Sequence, residues 1–153
     1  MIGREEIMGL FVRDGIMLTL EGAKVMLEAA EAKAREIGVD MDIAVVDAGT
    51  NLLGFHRMDG AKITSIDVAI SKAFTAAGTR LPTSKYSEVA GPGGKAFGIH
   101  VSNRGRFMIF GGGLPIVVEG QTIGAIGCSS GSVEQDTEVA QAGIDALLAA
   151  LNQ

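Results

Sequence analysis

Chemistry in this chain gathers where small residues meet carboxylates. Gly111-Gly112-Gly113 runs into Leu114-Pro115, and a second small-residue run, Ser129-Ser130-Gly131-Ser132, leads into Val133-Glu134-Gln135-Asp136. Three successive glycines lose too much backbone entropy for a helix or strand interior; they suit positive φ angles and close approach to a ligand or another main chain. A strand, a small-residue turn and a helix N-terminus in succession leave N–H groups unpaired, which is a common way to bind an anion. Simple turns would use the same residues. Glu134 and Asp136 fall in the first turn of the expected helix, where the macrodipole favours carboxylates without any function. If they face the glycine loop instead, either can act as a general base beside a polarising backbone N–H.

Several elements must position these groups. A helix runs from an N-cap at Thr19 to Ile37 with Gly38 as its stop, because Leu20, Ala23, Leu27, Ala30, Ala34 and Ile37 recur at three- and four-residue steps. Met41–Asp47 and Leu52–Met58 read as a hairpin broken by Asp59-Gly60. A second helix covers about Thr64–Ala77 and ends at Gly78, with Ile66, Ile70, Ala73, Phe74 and Ala77 toward the core. Its back face of Val68, Ser71, Lys72 and Thr75 is small and only partly polar, which fits a surface covered by another subunit or a ligand. Residues 79–98 are irregular, with a short helix at Ser84–Val89; a loop of this length is commonly functional. Ile99–Ser102 and Phe107–Phe110 read as short strands joined at Asn103-Arg104-Gly105, and Pro115–Glu119 and Thr122–Cys128 as a hairpin. A last helix starts at Ser132, where Gln135 completes a capping box. This order predicts an α+β fold with an antiparallel sheet covered by helices. Residues 1–18 are an N-terminal extension whose weak amphipathic piece carries Ile7, Leu10 and Phe11, and 19–153 form a single domain.

Composition narrows the function classes. The 153 residues are 47% hydrophobic and 20% charged, so a packed core rather than disorder is expected. The net charge is −5 and Lys and Arg form no run, which leaves no footprint for nucleic acid. Charges at Arg4, Glu5, Glu6, Arg13 and Asp14 interrupt any leader or membrane-spanning stretch, and the single Cys128 agrees with a reducing compartment. The expectation is a cytoplasmic protein without a membrane partner. No strand–GxGxxG–helix unit or Walker loop occurs.

An ordered set of stretches goes further. Val45-Val46-Asp47-Ala48-Gly49, Phe55-His56-Arg57-Met58-Asp59-Gly60-Ala61, Ser71-Lys72-Ala73-Phe74-Thr75-Ala76 and Arg80-Leu81-Pro82-Thr83 are followed by Gly111–Ile116, Gly124-Ala125-Ile126-Gly127 and Glu134-Gln135-Asp136. With these the chain resembles the GlcG/HbpS-like family, often labelled a haem-degrading domain, over about residues 18–150. The resemblance implies a profilin-like α/β/α fold, a five-stranded antiparallel sheet with helices on both faces, and a homo-oligomer. It also implies a small anionic ligand, with haem or a related tetrapyrrole the leading class, in a protein accessory to a catabolic or redox pathway. The alternative is a cofactor-independent isomerase, lyase or hydrolase acting on a small carboxylate or keto acid. One departure is Ser130, which stands where the family usually carries glycine.

The family motifs single out Arg57, Asp59 and Lys72. The Arg57 guanidinium can pin a carboxylate in a bidentate manner, or form an ion pair with Asp59 or Glu134. With Gly111, Gly112, Gly113, Ser130 and Gly131 these make the ligand-binding set, and Glu134 and Asp136 the proton-moving candidates. His56 and His100 are the candidate haem ligands, through neutral imidazole, with Met58 or Cys128 as possible sulfur donors. His56 and Met58 share a strand face and equally fit a partly buried His and a core Met. No spacing marks a metal centre.

Overall fold

The computed structural model describes residues 15–153. Its first helix, α1 (Leu20–Ile37), starts at Thr19, whose Oγ1 accepts the Gly22 N–H at 3.1 Å, and stops at Gly38 with φ 73°. Strands β1 (Asp42–Asp47) and β2 (Leu52–Arg57) form the expected hairpin. Helix α2 (Ser65–Thr79) passes through Gly78 instead of ending there, and the left-handed turn falls on Arg80 at φ 62°. A short helix α3 (Tyr86–Val89) sits in the long connection. Strands β3 (Gly113–Val118) and β4 (Gln121–Ser129) precede α4 (Val133–Leu151), which has the capping box: Gln135 N–H to Ser132 Oγ at 3.2 Å, and Ser132 N–H to Gln135 Oε1 at 2.9 Å.

The strands pair in the order β2-β1-β4-β3, antiparallel throughout. Their period of two divides the sheet between two cores. Ile43, Val45, Ile126 and Cys128 pack with α1 and α4, alongside Met26, Ala30, Val139 and Ala140. Ala44, Val46 and Ala125 pack against Ala69, Ala73 and Ala76 of α2. The small side chains of this second layer let α2 ride close to the strands. At Gly127 the approach is closest, since a Cβ there would collide with the Ala69 carbonyl oxygen. Leu18 is buried with α1 and α4, and the Ile16 N–H donates to Gln121 Oε1 at 3.3 Å. The proposed amphipathic piece with Ile7, Leu10 and Phe11 lies outside the described residues.

Two expectations need correction. Among the described residues the sheet has four strands, not five. The expected strands at 99–102 and 107–110 do not form; Ile99–Val101 and Asn103–Gly105 are 3-10 turns. Positive φ at Gly98, Asn103, Arg104 and Gly105 bends the chain out of any ladder, and the Met108 N–H donates to Thr75 Oγ1 at 2.9 Å rather than to a strand. This segment also explains the back face of α2. Thr75 is buried there and its Oγ1 lies 3.2 Å from the Arg106 carbonyl oxygen, so the chain's own 106–113 stretch covers the helix.

Gly127→Ala is expected to destabilise the fold by about 3 kcal/mol, because main chain cannot yield as a side chain does. Gly78→Ala, whose Cβ would meet only Thr50 Cγ2 at 3.8 Å, should be neutral or stabilise α2 by about 1 kcal/mol. Urea denaturation of the two variants against the parent chain checks the contrast.

Candidate functional site

Lys72 lies on α2 with its whole side chain buried. Its Nζ donates to Asp136 Oδ2 at 2.8 Å and to the Cys128 carbonyl oxygen at 2.9 Å, and sits 5.0 Å from the centre of the Phe110 ring. An ammonium has three donors and no acceptor, so a carboxylate, a carbonyl and a π face together satisfy it. Asp136, itself buried, accepts the Gly131 N–H on Oδ1 at 2.9 Å.

The glycine run closes this arrangement. Gly112 has φ 118°, and a Cβ on it would fall 2.6 Å from Lys72 Nζ and 2.8 Å from the Cys128 oxygen. The Gly112 carbonyl accepts the Cys128 N–H at 2.9 Å, and the Gly113 N–H donates to the buried Thr83 Oγ1 at 3.0 Å. Gly111 packs against Val133 and Ser84. The anion held by the second small-residue run and the α4 N-terminus is therefore the chain's own Asp136. The structure brings together Lys72, Gly112, Gly113, Gly131 and Asp136, whereas Glu134 stays exposed on α4.

The other sequence candidates lie around the end of β1. Arg57 is exposed at the end of β2 and makes no ion pair with Asp59 or Glu134 among the described residues. Its register partner on β1 is Asp42, which is fully buried with neither carboxylate oxygen hydrogen-bonded. Burial pushes the Asp42 carboxyl above its ordinary range, and the nearby Arg57 charge offsets only part of that. Ser130 has φ 112°, an unusual backbone for a residue with a side chain, and its Oγ accepts the Lys62 N–H at 3.0 Å. Asp59 is exposed.

The histidines stand apart from that group. His56 faces the α1 side of the sheet, its Nδ1 3.2 Å from Glu31 Oε1 without hydrogen-bond alignment. Glu31 Oε2 is 3.2 Å from Arg35 Nη2. The His100 ring meets Phe97 at 5.9 Å, and its buried Nδ1 has no hydrogen bond. Cys128 is buried, and burial together with the Asp136 charge drives its thiol far above the ordinary range, so it is a packing residue and not a nucleophile. Among the described residues no group of three or more His, Cys, Asp or Glu converges on a metal position.

Sequence reasoning missed Glu31, Asp42, Thr83 and Phe110. Only Asp42 left a signal, since strand alternation puts it on the face of Ala44 and Val46, an apolar layer where a carboxylate needs a reason. Glu31 is one of many helix carboxylates until the fold sets it beside β2.

Residues 18–145 match the family described as haem degrading protein HbpS-like. The chain belongs to the HbpS-like family. It is 44% identical over 128 residues to an uncharacterized 15.0 kDa protein from the dhaT-dhaS intergenic region of Citrobacter freundii, covering 84% of this chain and 90% of that one. The crystal structure of Klebsiella pneumoniae protein ORFY matches with a TM-score of 0.88 and 38% identity, over 92% of this chain and 97% of that one. The crystal structure of a PduOC:heme complex matches with a TM-score of 0.82 and 33% identity, over 86% and 95%. Among the described residues no helix of this HbpS-like chain is long and apolar enough to cross a membrane.

Lys72→Met and Asp136→Asn are each expected to destabilise the protein by about 3–5 kcal/mol, since each strands a buried polar or charged partner. The double variant should cost much less than the sum, by at least about 1 kcal/mol, in a denaturant double-mutant cycle. Asp42→Asn should have the opposite sign at neutral pH. A carboxyl whose folded pKa is raised contributes most below its unfolded value and loses that contribution as pH rises through the folded one. The variant should therefore be the more stable protein near pH 7, with an advantage that shrinks toward pH 4 in thermal melts.

Proposed function

We propose that this HbpS-like protein binds haem through His56, as an accessory to a catabolic or redox pathway. The observation that carries the reading is the Glu31 contact. A carboxylate this near Nδ1 favours by its charge the tautomer that keeps the proton there and leaves the Nε2 lone pair for a metal; a full hydrogen bond at Nδ1 is the usual support for a ligating histidine. The imidazole is 35% exposed on an edge strand, so iron can reach it without opening the core. Arg35, 67% exposed and on the same carboxylate, offers a guanidinium for a haem propionate. Bound haem would supply a redox-active iron; the chain's part is to hold it, orient it and fix the imidazole proton. The relative crystallised as a haem complex supports the same ligand class.

Self-association belongs to this reading, and Ile63, Phe97 and Val101 are exposed apolar side chains for a second copy to cover. The enzymatic alternative has less support, since both oxygens of Asp136 are engaged inside the fold.

Titration of the purified protein with haem is expected to give a saturable Soret shift that His56→Ala abolishes and His100→Ala leaves in place. Glu31→Gln should weaken binding about 10- to 100-fold. A shift indifferent to His56 would overturn the assignment, and no shift at all would overturn the ligand.

A further inference from the structure

Asp42 asks for an occupant. Both of its oxygens are acceptors without a donor, at a residue with no exposed surface, and a native fold seldom leaves such a group unsatisfied. It stands in a cross-strand row, Arg57 on β2 and the buried Ser129 on β4, on the α2 side of the sheet. Directly opposite residues in such a row have Cβ atoms about 5 Å apart. Arg57 is nevertheless exposed, and no hydrogen bond joins it to Asp42. An acceptor-only group and a donor-only group thus lie side by side, in reach of each other's charge but without a hydrogen bond between them.

The connection from β2 to α2 is fastened on both sides of this row. The Gly60 N–H donates to Asp40, two residues before Asp42, at 2.6 Å, and the Lys62 N–H donates to Ser130, next to Ser129, at 3.0 Å. Both ties are exposed single hydrogen bonds, and the second is held by a residue with a strained backbone. Gly60, Lys62, Ile63 and Thr64 of this loop are exposed, so parting the two ties uncovers little buried surface besides Ala61.

We infer that Asp42 and Arg57 form a binding site for a small zwitterionic α-amino acid, the ammonium on Asp42 and the carboxylate on Arg57. This ligand satisfies both groups at once and leaves the pair of charges balanced. A hydroxy acid gives Asp42 only a neutral donor, and a simple amine leaves Arg57 unused. The site lies on the opposite sheet face from His56, so it stands or falls separately from haem binding.

Calorimetric titration of the full chain with glycine and L-alanine is the test. Saturable binding of one molecule per chain is expected, weakened at least tenfold by Asp42→Asn and by Arg57→Gln, with glycolate and methylamine each at least tenfold weaker than glycine. Arg57 is exposed, so its variant folds whatever becomes of the other. No saturable heat with either amino acid, glycolate binding as tightly as glycine, or full affinity in either variant would overturn the site.

Discussion

The buried ammonium of Lys72 constrains the rest of the molecule. A lysine without solvent must find an acceptor for each donor, and here those are Asp136, the Cys128 carbonyl and the Phe110 face. No one of them is local to Lys72. The end of β4, the first turn of α4 and the approach to β3 must all be in place before the charge is satisfied. That demand accounts for glycine at 112, where any side chain would enter the space of the ammonium. It also accounts for the second small-residue run, which turns β4 into α4 tightly enough for the Gly131 N–H to reach Asp136.

Once that interior is filled, binding chemistry is left to the rim. The features that most resemble an anion site in the sequence, consecutive glycines and an acidic helix start, are consumed by an internal ion pair. Such a pair contributes little over an apolar replacement, although breaking it is costly, so its presence records a fixed arrangement more than a gain in stability. Among the described residues the groups without a hydrogen-bond partner include Asp42 at the sheet end, His56 at the edge and His100 in the 99–101 turn, and Arg57 stands exposed beside Asp42.

Periodic elements were legible because burial writes itself into spacing. The α1 stripe, the hairpin of β1 and β2 and the capping box at Ser132 follow from residue patterns that have few alternatives. The stretch 99–110 was not legible. Its apolar pairs around Asn103-Arg104-Gly105 look like a hairpin, and it takes the contacts of Arg106 and Met108 with Thr75 to show that the chain prefers to lie along α2. A helix can satisfy a passing strand through one hydroxyl, and periodicity carries no trace of that. Site residues were legible as types but not as partners. Lys72 and Asp136 were both singled out, yet their separation of 64 residues gives no hint that each answers the other.

The edge strand β2 shows how one register can serve two chemistries. Successive residues point to opposite faces, so His56 meets Glu31 of α1 while Arg57 stands beside Asp42 on the α2 side. Pairing that slipped by one residue would turn His56 to the α2 face and Arg57 to the α1 face, and neither would keep its present neighbours. The register is held by Ile43 and Val45, which must face the larger core, and by the alanine layer that lets α2 come near the other face. Packing remote from either residue thus decides which face of β2 receives the imidazole and which the guanidinium. Because β2 lies at the sheet edge, both groups reach solvent without a channel through the core, and neither has to compete with Lys72 for Asp136.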